Sequence, residues 1–224
     1  MLTLLFALHT AHADCGELYR SGAVQVRESA NPKGKPTGKS ITTVKSVTGS
    51  PDALIADVHT DSFDKKGKPT GAFDFNVTCK DGSMLMDMRN FWPADASEPY
   101  ADYDMTLLAN VLEYPANPVA GGALPEGQMA MKFTLKDTPE VMPVTMAMTV
   151  KDRVIVGPES VNTPARPFDA WKVTSVQKMV TTSIVNITVT MDVTEWYVPG
   201  LGVVKTSTSR KGKPLGTTTL IEIR

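Results

Sequence analysis

The chain has 224 residues, a hydrophobic fraction of 42% and nearly balanced charge, 23 basic against 24 acidic side chains. Net charge therefore supplies no global field toward nucleic acid or an anionic membrane, and no apolar run approaches the roughly 18 residues of a membrane-spanning helix. The length suits one large all-β unit, and the abundance of Val and Thr in the second half favours half-buried strands over helices.

Met1 to Ala13 carry an apolar stretch from Leu2 to Leu8 and end in Ala11-His12-Ala13, a small-x-small pattern that a signal peptidase accepts. This reads as a leader cleaved after Ala13, short and without a basic n-region, as a start placed too late would leave it. Cys15 lies near a lipoprotein anchor position, but Asp14 stands where that signal needs a small residue, which argues against lipidation. Cys15 and Cys79 are the two cysteines of the chain. In an oxidising compartment an isolated pair is most simply a disulfide, which would stabilise the fold by roughly 4 kcal/mol.

The rest reads as successive strands. Gly22 to Ala30 and Lys39 to Thr48 form a first hairpin around Lys33-Gly34-Lys35-Pro36-Thr37-Gly38. Ile55 to Phe63 and Ala72 to Cys79 form a second around Lys66-Gly67-Lys68-Pro69-Thr70-Gly71. Gly takes the positive φ of a tight reversal, and Pro, with φ fixed and no N–H, closes one strand and opens another. Alternation puts Phe73, Phe75, Val77 and Cys79 on one face, with Asp74 and Asn76 on the other, and continues through Met84, Met86 and Met88 after the Lys80-Asp81-Gly82 turn.

From Arg89 to Ala101 the pattern breaks into a loop or short helix, with Ser97 as a cap, which reads as a lid or plug. Asp102 to Tyr114 fits helix or strand and is assigned to strand because Pro115, Pro118 and Gly121-Gly122 follow at hairpin spacing. Gln128 to Leu135, Val141 to Val150, Arg153 to Val161, Phe168 to Val180 and Ser183 to Trp196 continue the series. The tail runs through Trp196, Tyr197, Pro199, Gly200 and Gly202 into a third Lys-Gly-Lys-Pro turn with Gly212, Pro214 and Gly216. The fold class is all-β and mainly antiparallel, a single large curved sheet or barrel-like domain over residues 14–224, with the tail expected to close the sheet.

Four features resemble one family: Glu195-Trp196-Tyr197-x-Pro-Gly-Leu-Gly-Val-Val-Lys205, the closing Lys-Gly-Lys hairpin, Thr163-Pro164-Ala165-x-x-Phe168-Asp169-Ala170, and Cys79-x-Asp81-Gly82 before a Met-Asp-Met run. The chain resembles the bacterial exported proteins grouped as TapB or domain-of-unknown-function 3108-like. The resemblance covers nearly the whole mature chain and implies an exported, mainly antiparallel β protein of curved-sheet or barrel type, with no catalytic residues to carry over.

Candidates for chemistry are few. After leader cleavage His59 is the one remaining histidine, which rules out a histidine-rich zinc site and leaves His59 reading as a solvent-facing strand residue. Asp102, Asp104 and Glu113 near the lid could in principle pair as acid and base, the weakest of the signals. Methionine is the unusual feature, with 12 in the chain and period-two sets at Met84, Met86 and Met88, at Met129 and Met131, and at Met146 and Met148. Such sets line an apolar core or a cavity, and thioethers can also hold Cu(I). The Lys-rich turns read as soluble hairpin tips. The sequence thus points to an exported, periplasmic or secreted, non-catalytic binding or envelope-assembly module without a cofactor. The alternative is a carrier of an apolar ligand in a Met-lined cavity, and the outsiders are a carboxylate-based hydrolase and a Cu(I) protein. An envelope protein or an apolar small molecule is the expected partner.

Overall fold

The computed structural model describes residues 16–50, 53–86, 88, 103–109, 111–137 and 144–224. The leader, Cys15, the 89–101 insertion and Asp102 lie outside the described residues. Cys79 is the one cysteine among the described residues, so no disulfide pair falls within them and the expected Cys15–Cys79 bond lies outside.

The three Lys-Gly-Lys-Pro stretches reverse the chain where the sequence places them. β1 (Val24–Ala30) turns into β2 (Pro36–Ser50), and β3 (Ala53–Asp64) into β4 (Pro69–Lys80). At these two turns an Asx side chain holds the loop: Asn31 Oδ1 accepts from the backbone N–H of Lys33 and Lys35 at 2.9 and 3.1 Å. Asp64 Oδ1 does the same for Lys66 and Lys68 at 2.7 and 2.9 Å. The third turn, between β12 (Gly202–Arg210) and β13 (Lys213–Ile223), has Ser209 in the place of the Asx residue and is tighter. Its two central residues, Lys211 and Gly212, take φ of 50° and 73°, the twist that a two-residue hairpin demands.

The remaining strands among the described residues are β5 (Ser83–Met86), β6 (Tyr103–Ala109), β7 (Leu112–Tyr114), β8 (Gly127–Leu135), β9 (Val144–Asn162), β10 (Pro167–Thr182) and β11 (Ile187–Val198). All 13 join one antiparallel sheet in the order β6-β8-β9-β10-β11-β12-β13-β1-β2-β3-β4-β5-β7. The tail sits at its centre, where β13 pairs with β1 and joins the two ends of the chain, Gln25 opposite Ile223 and Ala30 opposite Thr217. Near closure comes from the stretch 103–114, whose first half bonds β8 and whose second half bonds β5. The result is a nearly closed barrel-like sheet.

Strand assignment fails at two places. The stretch from Asp102 to Tyr114, expected as one strand, carries two, β6 and β7, at opposite edges of the sheet. Of Val141 to Val150 and Arg153 to Val161, expected as two strands, the described residues, from Val144 on, belong to the single strand β9. Asp152, between the two expected strands, takes φ of 52° and forms a bulge, so that the pairing with β10 jumps from Lys151 opposite Val176 to Val154 opposite Thr174. A bulge re-aims a side chain without ending a strand. Here it accompanies the burial of Arg153 in the core at 2% exposure.

The alternation of β4 and β5 is as expected: Phe75, Val77, Cys79, Met84 and Met88 are buried, Phe73 and Met86 are partly buried against the same cluster, and Asp74 and Asn76 are exposed. Two apolar clusters result. The larger gathers Val44, Ala56, Phe133 and Val150 with Tyr197. The smaller, with Val161, Phe168, Ala170, Val204 and Leu220, includes Trp196 and so lies across the sheet from Tyr197, its sequence neighbour.

Candidate functional site

Alternation along β1 to β4 turns one residue in two toward a common interior: Gln25, Arg27 and Ser29, then Ser40 and Thr42, then Val58, Thr60 and Ser62, then Phe73, Phe75 and Val77. Thr206 and Thr208 of β12 and Thr218 of β13 complete the wall. Hydroxyl side chains are short, and the space they leave is a cavity of about 550 Å³. A smaller hollow of about 230 Å³ shares Ser29, Thr206, Thr208 and Thr218 with it and continues to Asn31, Thr37 and Leu215. The cavity therefore runs out toward the β1–β2 and β12–β13 turns.

The hydroxyls partly satisfy one another. Thr42 and Thr60 share a hydrogen bond of 2.9 Å, and Ser29 and Thr218 one of 3.0 Å. Deeper in, Gln25 Nε2 donates to Leu201 O at 3.2 Å. Arg27 Nη2 donates to Gln25 Oε1 at 2.7 Å and to Val203 O at 3.2 Å. Burial pushes the Arg27 pKa down to about 10. Those neutral acceptors are its partners among the described residues, and no carboxylate there balances its charge. A half-buried guanidinium with donors to spare and no counter-charge is costly by itself and suited to an anion.

At the back of the cavity stands a second buried polar group. Glu195, on the interior face of β11 with Tyr197, is 2% exposed and accepts a hydrogen bond from Tyr114 Oη at 2.9 Å. The Arg153 guanidinium lies 4.8 Å from the centre of the Tyr114 ring and donates to Pro125 O at 2.8 Å and Glu113 O at 3.0 Å. Tyr114 and Tyr197 pack with ring centres 4.9 Å apart. Burial raises the Glu195 carboxyl above the usual carboxylate range, against the opposing pull of the Tyr114 hydrogen bond and of Arg153. This network ties β7, β9 and β11 together.

The methionines do not line the cavity as expected. Met84, Met88, Met129, Met131 and Met148 are buried in the filled core and Met146 packs against it, while Met86 reaches the cavity wall. The reason is steric: long, flexible side chains close the space around them. Gly127 makes the tightness visible, because a Cβ there would collide with a Leu112 methyl carbon and stand 3.0 Å from Met88 Sδ. Asp104 is exposed, and Glu113 alternates with the buried Leu112 and Tyr114 on β7, so the two do not gather around the cavity. His59 bonds Asp74 at 2.7 Å and Asp61 at 3.3 Å on an outward face. No cluster of three or more metal-ligating His, Cys, Asp or Glu side chains occurs among the described residues.

The tail motif is structural. Trp196 Nε1 donates to Glu159 Oε1 at 3.0 Å, and the ammonium groups of Lys205 and Lys172 lie 4.9 and 5.8 Å from its ring centre. Pro199 and Gly200 carry the chain from β11 to β12, which opens at Gly202, and Pro214 lies early in β13. At Gly216 a Cβ would stand 2.6 Å from Ala30 O, so glycine lets β13 close against β1. Sequence reasoning missed Arg27, Gln25 and the Tyr114–Arg153–Glu195 group. A signal was present for Arg27, a cation between inward-facing Gln25 and Ser29.

Among the solved structures that match, two share this architecture. One, from Parabacteroides distasonis, is described as an inferred lipoprotein; identity is 26%, the TM-score is 0.74, and the match covers 92% of this chain and 96% of that one. The other, from Bacteroides fragilis, is described as an inferred exported protein with a YmcC-like fold; identity is 23%, the TM-score is 0.72, and coverage is again 92% and 96%. No curated protein matches. A family model described as DUF3108-like matches residues 20–221, which supports that part of the resemblance and not the narrower TapB grouping. With nearly the whole sheet inside the match, the chain belongs to the DUF3108-like family.

Proposed function

We propose that this protein is an exported, non-catalytic binding protein that holds an amphipathic small molecule inside its barrel. The observation that carries the reading is the cavity of about 550 Å³, within the range of roughly 300–1,000 Å³ common to small-molecule sites. Phe73, Phe75, Val58, Val77 and Met86 offer an apolar wall, and Arg27, with its spare donors, would take an anionic group at the other end of the ligand. Export is supported by the leader and by the inferred lipoprotein status of the 26% identical P. distasonis protein. An assembly module without cargo expects a filled interior, and the open space weighs against it.

Native mass spectrometry of protein purified from its own envelope tests this directly. The expected result is a retained adduct in the mass range of a single-chain amphiphile, weakened by Arg27→Met. Bare protein, together with failure of a fatty acid to displace an apolar fluorescent probe, would overturn the reading.

A further inference from the structure

Antiparallel order fixes where the turns fall. Across β12, β13, β1, β2, β3 and β4, the β12–β13, β1–β2 and β3–β4 turns reverse the chain at one end of the sheet, while β2 and β3 meet at the other with Ser50 opposite Ala53, so the three Lys-Gly-Lys-Pro turns share one end. They bring together Lys33, Lys35, Lys65, Lys66, Lys68, Arg210, Lys211 and Lys213, all exposed. The single carboxylate in these turns is that of Asp64, held below the usual carboxylate range by the backbone N–H groups of Lys68 and Lys66. Lys136 and Asp137 follow β8 at this end and Asp104 lies near the start of β6, which leaves the described residues there strongly basic. The chain as a whole carries a net charge of −1, so the charge is segregated rather than absent.

The β10–β11 turn emerges at the same end, and it is apolar. Ile184, Val185 and Ile187 are 93%, 65% and 58% exposed. β11 first pairs with β12 at Asp192, so Ile187 to Met191 stand clear of that neighbour, a projection of roughly 16 Å at the usual rise of a strand. Tips that serve solubility alone have no use for two β-branched aliphatic side chains at their most exposed point. The cavity opens toward this same end, since the hollow that continues it reaches Asn31, Thr37 and Leu215.

We propose that this end of the barrel docks on an anionic phospholipid bilayer, with the Lys-rich turns against headgroup phosphates and the Ile184-Val185 tip entering the interface. Charge complementarity selects the lipid surface, because each basic residue near such a surface contributes on the order of 1 kcal/mol and apolar tips gain by entering the headgroup boundary. The docking does not depend on cargo, so it goes beyond the binding reading and stands or falls separately from it.

Sedimentation with vesicles of phosphatidylcholine, with and without phosphatidylglycerol, provides the test on the mature chain. The expected result is binding to the phosphatidylglycerol vesicles, weakened by salt, and none to phosphatidylcholine alone. Lys33→Glu, Lys66→Glu and Lys213→Glu together should lower binding on the order of a hundredfold or more. Arg20→Glu, Lys80→Glu and Arg224→Glu, a matched reversal at the opposite end, should leave it nearly unchanged. Ile184→Ser with Val185→Ser should lower binding further in high salt than in low. Thermal melts confirm that each variant is folded. Absence of binding to anionic vesicles at low salt, or equal loss from the two triple reversals, overturns the proposal; vesicle binding by a bare protein in which a fatty acid also fails to displace the apolar probe overturns the cargo reading alone.

Discussion

The two halves of the barrel interior are built from the same alternation and end in opposite states. Around β5, β7, β8 and β9 the inward positions hold Met84, Leu112, Tyr114, Met129, Met131, Phe133 and Met148, and the space is full. Around β1, β2, β3, β12 and β13 they hold Ser29, Ser40, Thr42, Thr60, Ser62, Thr208 and Thr218, and the space is open. Backbone geometry is common to both, so side-chain volume and polarity alone decide whether a stretch of curved sheet becomes core or binding site. The filled half supplies packing energy, and the open half gives up some of it to keep room and hydrogen-bonding groups.

Emptying the filled half should produce the largest effect. Phe133, 2% exposed, should cost about 3–5 kcal/mol on Phe133→Ala, read as a shift in denaturant midpoint. Filling the open half should do the reverse of damage. Ser40 and Ser62 pair across β2 and β3, and Ser40→Leu with Ser62→Leu should leave the melting temperature unchanged or raised while abolishing binding of an apolar fluorescent probe. A large loss of stability there would mean that the open half is packed as tightly as the other.

Trp196, across the sheet and 9% exposed, offers an intermediate case. Trp196→Ala should cost about 3 kcal/mol and leave probe binding intact, because the ring faces away from the cavity.

Glu195 marks the boundary between the halves, lining the cavity while bonding Tyr114. Burial raises its folded pKa, so the native state holds the proton more firmly than the unfolded chain, and stability falls as pH rises from the ordinary glutamate pKa through the raised one. Glu195→Gln, which can still accept from Tyr114, should remove that fall and stabilise the protein at neutral pH, as urea midpoints at acid and neutral pH would show.

The smallest effect belongs to His59, on an outward face. The hydrogen bond to Asp74, more than that to Asp61, raises its pKa. Its contribution is therefore full below the ordinary imidazole pKa of about 6.5 and fades as pH rises through the raised value. His59→Gln should remove a slight stabilisation at acid pH and change nothing in alkali.

Strand identity and the hairpins were legible in the sequence because they depend on local chemistry. Gly34, Gly67 and Gly212 take the positive φ that their turns need, and the alternation of Phe73 to Cys79 commits one face of β4 to the interior. The all-β class follows from such units repeated. What tertiary structure alone decided is where those faces meet. Met129 and Ser40 both sit at inward positions, and nothing local to either says that one will be surrounded by long side chains and the other by short ones. Arg27 becomes an unbalanced cation only because the curved sheet faces it with Ser, Thr and Gln rather than with a carboxylate, and Glu195 is buried only because β7 crosses the barrel to bring Tyr114 against it. The three basic turns, far apart in sequence, converge because an antiparallel order places β13 beside β1. Local periodicity is set by a few neighbouring residues, whereas volume, charge balance and convergence are sums over strands that only closure of the sheet brings together.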